Sequence, residues 1–487
     1  MANLIAPTLD LFVYDIRKEF GQTLVDLQNN RTHFRQKLPA DFDDASWERD
    51  RSFESDFVEL LSDKTQLNTI AFVTGDCQGY YYPVRLQDNY GVLISCSARD
   101  KNFAYPVPWL KEAQEILEEK LAQQTTTLGQ TWMISAQFDW QTSTHNNPEF
   151  LAKECYLALF PNRDWQENLK SVNTFLGGTF FEISQYKVDF PESFEDVHSE
   201  AFQSNYIEEN HHIIIAIYPD SEVAAAAAYF LDDWLKLWSY RHQVLASYSQ
   251  SRLLKQILES DIMTIQQYLE KFKKEVHRGY SLAHLDLELE QIEDIYANYT
   301  LDLFDFKNQI SKITEGCESY TRQIENLESV ILSERLAADL SGLKQFIPEV
   351  SQQYLWQVDR DWRRLQDGEK LLDATFNLLR TEISIYQAKN NRDFQQKAIA
   401  TGIGLGCGFV VGAIAYRIAT VEMVAVAGTP ETPETPSPQD GLQSLITPEV
   451  WAIPGIAIII GACTAILTGG IARLWLFWGD RSFSQQR

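Results

Sequence analysis

The chain has 487 residues, with 42 Lys and Arg against 68 Asp and Glu, a formal net charge of -26. That length is two to four domains at roughly 100 to 200 residues each, enough for a buried core, and that charge repels phosphate backbones, so nucleic acid is not an expected partner. Six Cys, none in a C-x-x-C pair, provide no disulfide or zinc framework, and 45% hydrophobic with 12% aromatic residues is the composition of a folded protein.

Residues 1 to about 220 mix short β-like runs with helical patterns. Alternating and β-branched stretches predict strands over 9–16, 70–73, 80–86 and 91–96, 132–138, 175–183 and 213–218, with the third and fourth joined through Gln87-Asp88-Asn89-Tyr90. Helical spacing of apolar residues predicts helices over 109–121 and 150–159. Together these give an α+β domain whose strand order the pattern leaves open.

After Pro219 prolines almost vanish and apolar residues recur at three and four: Leu253, Ile257, Ile262, Ile265, Leu269 and Phe272, then Ile292, Ile295, Tyr299, Leu303, Phe306 and Ile310. Long helices are expected over 221–397. The most apolar run ahead of them, 223–231, is halted by Asp232 and Asp233 and reads as a short buried helix. A further stripe, Leu372, Phe376, Leu379, Ile383 and Tyr386, continues without Gly or Pro to Lys397.

From 398 to 416 no residue is charged, and at about 1.5 Å per residue this run matches a hydrocarbon layer of roughly 30 Å. The run 450–472 is similar, with Trp451 at one end and Trp475 and Trp478 at the other. The expectation is therefore a two-helix transmembrane hairpin, 398–417 and 450–478, with an integral membrane location and the lipid bilayer as a partner. Lys389, Arg392 and Lys397 precede the first span, and Arg473, Arg481 and Arg487 follow the second, which predicts both termini, including the tail 479–487, on the cytoplasmic side. The connection 418–449 holds Glu431, Glu434, Asp440 and Glu449, lacks Lys and Arg, and reads as an acidic, Pro-rich external loop. With no basic n-region followed by an apolar h-region near Met1, no cleavable signal is expected.

Candidate site residues follow from that layout. Gly402, Gly404, Gly406, Gly408 and Gly412 recur at spacings that put glycines on shared helix faces, either for close helix packing or, in a ring of chains, as a pore lining; Thr401, Thr464 and Thr468 are the accompanying hydroxyls. In the preceding region Asp286, Glu288 and Glu290 belong to an acidic cluster able to hold a hard divalent cation weakly, with a solvated helix face as the plainer account. The run Glu208-Glu209-Asn210-His211-His212 holds metal-competent donors but reads as a solvated loop before a strand. No G-x-x-x-x-G-K-[ST], G-x-S-x-G, H-E-x-x-H or G-x-G-x-x-G is present, so no enzyme activity is expected.

The order of these parts resembles the CorA-like family of magnesium and cobalt channels, most closely over 379–412, LRTEISIYQAKNNRDFQQKAIATGIGLGCGFVVG. The resemblance implies a homo-oligomer that conducts or senses cations, with Mg2+ or another divalent cation as the ion, under control of an acidic cytoplasmic domain. Where that family carries Gly-Met-Asn this chain has Ala413-Ile414-Ala415-Tyr416-Arg417, so no filter residue is carried over. The alternative is a membrane-anchored helical scaffold or interaction protein without transport activity.

Overall fold

The computed structural model describes residues 3–19, 21–42, 55–61, 68–138, 147–189, 207–278 and 282–390. In chain order these form β1 (Asn3–Ile16), α1 (Leu24–Arg35), β2 (Phe57–Glu59), β3 (Ile70–Thr74), β4 (Cys77–Leu86), β5 (Asn89–Ala98), β6 (Ala104–Pro106), α2 (Trp109–Lys120), β7 (Gly129–Phe138), α3 (Pro148–Leu159), α4 (Trp165–Asn168), β8 (Leu169–Phe175), β9 (Gly178–Asp189) and β10 (Ile207–Tyr218). The helical part follows: α5 (Ser221–Ala228), α6 (Leu231–Arg278), α7 (Leu282–Ser333), the two-residue β11 (Ala338–Asp339), α8 (Ser341–Lys344), α9 (Phe346–Glu349), a π-turn (Val350–Leu355) and α10 (Trp356–Asn390).

The strands make one sheet in the order β11-β8-β9-β10-β7-β1-β5-β4-β2, with β3 also paired to β4 and β6 to β1. Among the described pairs only β10 and β7 run parallel, Ile213 facing Trp132 and Ile217 facing Ala136. Period-two alternation sends β1 residues Leu9, Leu11 and Val13 to one face, where they pack with Phe34 of α1, Leu110 and Leu117 of α2, and Leu151 and Tyr156 of α3. The intervening residues Phe12 and Tyr14 are equally buried on the opposite face, and the Tyr14 hydroxyl donates to the Leu235 carbonyl of α6 at 2.8 Å. Trp234 and Trp238 stack on that helix at 5.6 Å, and Phe180 of β9 stacks on Trp234 at 5.1 Å. The sheet is therefore the middle layer, with short helices on one side and a long one on the other.

Two of the two-residue turns explain two boundaries. Gln87, at a φ of 54°, closes β4 onto β5 with Leu86 opposite Asn89. Leu176 and Gly177, at 53° and 86°, close β8 onto β9 with Phe175 opposite Gly178. The strand expected over 175–183 is thus the second arm of a hairpin, and its first arm starts at Leu169. The helix expected over 223–231 forms at 221–228 with only Ala227 buried, so it is a surface turn rather than a core helix.

The first compact unit comprises Met1–Arg278 and Glu288–Asp373; the second takes Gly279–Leu287 and continues from Ala374. The boundary expected at 220 falls inside the first unit, because α6 packs on the sheet. Of the expected stripe, Leu253, Ile257, Ile265, Ile292, Tyr299, Leu303, Phe306 and Ile310 are buried, and Ile262, Leu269 and Ile295 are half-buried.

The expectation of an α+β domain followed by a transmembrane hairpin is corrected here, together with the integral-membrane location, the ion-transport role and the CorA-like character tied to it. The architecture found among the described residues is a large mixed sheet of eleven strands with helices. Among the described residues no helix is long and apolar enough to cross a membrane. The physical reason is plain in α6 and α7: both exceed the needed length, but charged residues interrupt them, in α6 Asp232, Lys236, Arg241, Arg252, Lys255 and Glu259 among them. The runs 398–417 and 450–478, the loop 418–449 and the tail 479–487 lie outside the described residues.

Two buried charges make the fold testable. Lys37 and Asp15 pair at 2.9 Å with both side chains fully buried, and Asp15 also accepts the Thr127 N–H at 2.9 Å. Burial pushes the Lys37 ammonium down while Asp15 pulls it up. Lys37→Met leaves a buried carboxylate without its cation and is expected to cost about 3–5 kcal/mol in urea unfolding. Asp10, on the α6 face of β1, is pushed by burial up to about 7 against the pull of a Ser95 hydrogen bond. The native carboxyl then holds its proton where the unfolded one, near 3.8, has lost it, so this group's stabilisation is full below about pH 4 and is lost as pH rises towards 7. Asp10→Asn should therefore gain unfolding free energy over the natural chain as pH rises from 4.5 to 8, by an amount on the order of 2–4 kcal/mol, read by urea unfolding at each pH. A difference that does not change with pH would contradict this.

Candidate functional site

The α6 face of the sheet is apolar near β1 but polar towards β9 and β10. His212, Thr131 and Glu182 point to it from adjacent strands, and Arg241 and His242 descend from α6. The Thr131 hydroxyl bridges His212 Nδ1 and His242 Nε2, each at 2.8 Å, and the Asn210 amide lies 3.0 Å from His242 Nδ1. With Asn210 donating there, His242 carries its proton on Nε2, Thr131 donates to His212 Nδ1, and the remaining His212 N–H faces Glu182 Oε1 at 3.5 Å. Gly129 makes room for this chain: a Cβ there, at a φ of 142°, would stand 2.5 Å from His242 Nδ1. Burial and the nearby Arg241 charge hold both histidines well below 6.5, so they are neutral.

Arg241, 3% exposed, donates through Nη2 to Ser184 Oγ at 2.5 Å, while its Nε and Nη1 have no hydrogen-bond partner among the described residues. Arg241 borders an inner cavity of about 120 Å³ whose lining includes Lys170, Glu182, Glu349 and Tyr354. Burial pushes Glu182 up, against the pull of Arg241 and a Ser171 hydrogen bond. The cavity's far wall is placed by Gly342, where the N–H donates to Asn173 Oδ1 at 2.8 Å and a Cβ would meet that oxygen at 2.5 Å. That close approach, with the β11 to β8 pairing, pins α8, α9 and the π-turn to the sheet edge.

Tyr186 of β9 and Tyr354 of the π-turn line both this cavity and an outer pocket of about 400 Å³. The outer pocket is completed by Lys187 and Val188 of β9, Tyr248, Arg252, Lys255 and Gln256 of α6, and Gln353 and Gln357. Among the described residues its wall has three cations and no carboxylate, in a chain whose net charge is -26. Arg252 is 6% exposed; its Nη1 donates to Asp361 Oδ2 at 2.6 Å, and its Nη2 is buried without a hydrogen-bond partner among the described residues. Lys255 lies 3.4 Å from the same carboxylate, so Asp361 holds both cations from behind. Burial pushes Asp361 up, but Arg252 and Lys255 outweigh it and keep the acid ionised. Lys187 pairs with Asp189 at the rim, and Glu208, which burial pushes up, lies behind Tyr186 and Ser249. Tyr248 and Tyr354 stack at 4.4 Å, and Tyr186 meets Tyr354 edge-on at 5.8 Å.

The sequence-derived candidates fall elsewhere. Gly402, Gly404, Gly406, Gly408, Gly412, Thr401, Thr464, Thr468, Glu431, Glu434, Asp440 and Glu449 all lie outside the described residues. Asp286, Glu288 and Glu290 are at the start of α7, where Glu290 is exposed and the side chains of the other two are outside the description. Among the described residues no group of three His, Cys, Asp or Glu could hold a metal ion. The run 208–212 is not a loop but the first half of β10. Alternation sends His212 to Thr131 and Trp238 and sends His211 to Phe160 on the opposite face, so the two imidazoles do not converge. Arg252 and Lys255 escaped sequence reading because they sit inside a helical charge pattern; their three-residue spacing on α6 was the available signal. No protein-family model matches the chain, and no curated protein matches it.

Proposed function

We propose that this chain is a non-enzymatic, ligand-responsive coupling module, in which a small oxyanion bound in the outer pocket sets the conformation of the π-turn and hence of the helix that follows. The observation that carries the reading is Arg252: a buried guanidinium in the wall of a basic pocket, with Nη1 committed to Asp361 and Nη2 without a hydrogen-bond partner among the described residues. An unpaired buried donor costs about 1–3 kcal/mol, which an oxyanion would recover through a charge-assisted hydrogen bond.

The pocket's chemistry favours binding over turnover. Burial pushes Tyr186, Tyr248 and Tyr354 up, the last to about 12, so the tyrosines stay neutral and supply no base near neutral pH. The basic lining favours an anion over the cation first expected. The π-turn gives the site its output, since such turns hold an extra residue and concentrate at functional positions. Gln353 and Tyr354 are both in it and both line the pocket. Relaxing it to α-helix would advance α10 by one residue, a rotation of about 100°.

Titration of the full chain with sodium phosphate at constant ionic strength is expected to raise its melting temperature, and amide exchange at 350–355 should slow on binding. Lys187→Gln with Lys255→Gln should weaken the effect about tenfold. If phosphate leaves both the melting temperature and the exchange of the π-turn unchanged, the reading fails.

A further inference from the structure

The outer pocket is larger and more aromatic than an inorganic oxyanion requires. A phosphate occupies only a small part of about 400 Å³, a volume within the roughly 300–1,000 Å³ range of sites for small organic ligands. Its chemistry is also divided. Arg252 and Lys255, three residues apart on α6, and Lys187 of β9 supply positive charge. Tyr186, Tyr248 and Tyr354 form a contiguous aromatic cluster, with ring centroids 4.4 to 6.2 Å apart. One face of Tyr248 is taken by Tyr354, and the Arg252 guanidinium lies 5.2 Å over the same ring, so Tyr186 and Tyr354 are the rings left to meet a ligand. Gln256, Gln353 and Gln357 add amides, each able to donate and accept; Gln357 already accepts from the Tyr248 hydroxyl at 2.8 Å.

Building on the oxyanion reading above, we infer that the ligand is a mononucleotide: one phosphate held by Arg252, Lys255 and Lys187, with a planar base against the Tyr186 and Tyr354 rings and its edge read by the glutamines. Stacking on tyrosine is available to every base, because each has a π-face. Amides offering both donor and acceptor suit the mixed edges of a purine or pyrimidine. A single phosphate also fits the electrostatics of the whole chain. At a net charge of -26 a polyanion is repelled along its length, whereas one phosphate meets chiefly the local field of three cations and their counter-ions Asp361, Glu259 and Asp189.

Calorimetric titration of the full chain with the four 5′-ribonucleoside monophosphates, ribose 5-phosphate, inorganic phosphate and adenosine tests this. At least one monophosphate should bind ten times or more tightly than ribose 5-phosphate, and adenosine should bind more weakly than its monophosphate. Tyr354→Leu should abolish the tenfold gain while ribose 5-phosphate still binds. Gln353→Ala, at an exposed position of the same turn, should reduce the gain and serves if the tyrosine variant does not fold. Equal affinity for ribose 5-phosphate and every monophosphate overturns the mononucleotide assignment and leaves the oxyanion reading standing. Absence of binding by all phosphates overturns both.

Discussion

Both faces of the central strands are buried, but only one of them is apolar, and this asymmetry governs what the second face needs. On the first face Leu9, Leu11, Val13, Ile134, Ile213 and Ile215 need only hydrophobic helices above them, which α1, α2 and α3 supply. On the second, Thr131, Glu182, Ser184 and His212 must find polar partners, since a buried polar group without one costs more than its hydrogen bond would contribute. The covering helix therefore cannot be purely apolar. It brings Trp234 and Trp238 over the aromatic part of the face and Arg241 and His242 over the polar part. The same helix continues beyond the sheet edge, where it presents Tyr248, Arg252 and Lys255.

That continuity explains why a basic pocket exists on so acidic a chain. Arg252 and Lys255 are not scattered surface cations whose pairing with solvent-exposed acids would contribute little. Asp361 fixes them from the α10 side, with Arg252 stacked over Tyr248, and the geometry spends two guanidinium nitrogens on the fold, Nη1 on Asp361 and Nε on the Ser251 hydroxyl. The other nitrogen is held in place by the same contacts. A group positioned by structural contacts loses little conformational freedom when a ligand arrives, which is the condition for strong binding from few contacts.

Much of the sheet was legible in the sequence, because β-branched and aromatic alternation survives in 9–16, 80–86, 91–96, 132–138 and 213–218. The long-helix stripe was equally clear, since Tyr299, Leu303 and Phe306 can face one core only with helical spacing. What failed did so for local reasons. The β8 to β9 turn is marked by Gly177-Gly178, but Leu176 shares it at positive φ and the signal fell inside a run read as one strand, so the hairpin was missed. The polar start of β10 looked like a loop because its partners, Thr131 and His242, are distant in sequence. The pocket was invisible for the same reason: its walls come from segments about sixty and one hundred residues apart, joined only when β11 pairs with β8 and carries the π-turn to the sheet edge. The apolar runs after 397 carried a strong compositional signal, but that signal belongs to segments outside the described fold.

The position of the π-turn links these points. A widened turn is less favourable than the α-helix on either side of it, so something must hold it. Tyr354 packs against Tyr186 and Tyr248, and the Tyr248 hydroxyl reaches across to Gln357 one turn later. The contacts that stabilise the extra residue are therefore the same contacts that form the pocket wall. Any ligand that presses on Tyr354 or engages Gln353 shifts the balance between the widened and the regular turn by its difference in affinity for the two, and by no more than that difference. Arg241 and the inner cavity lie on the other side of the same tyrosine. A change at the turn thus bears on the polar face of the sheet as well as on the start of α10, which makes Tyr354 the residue through which ligand binding and fold stability are coupled.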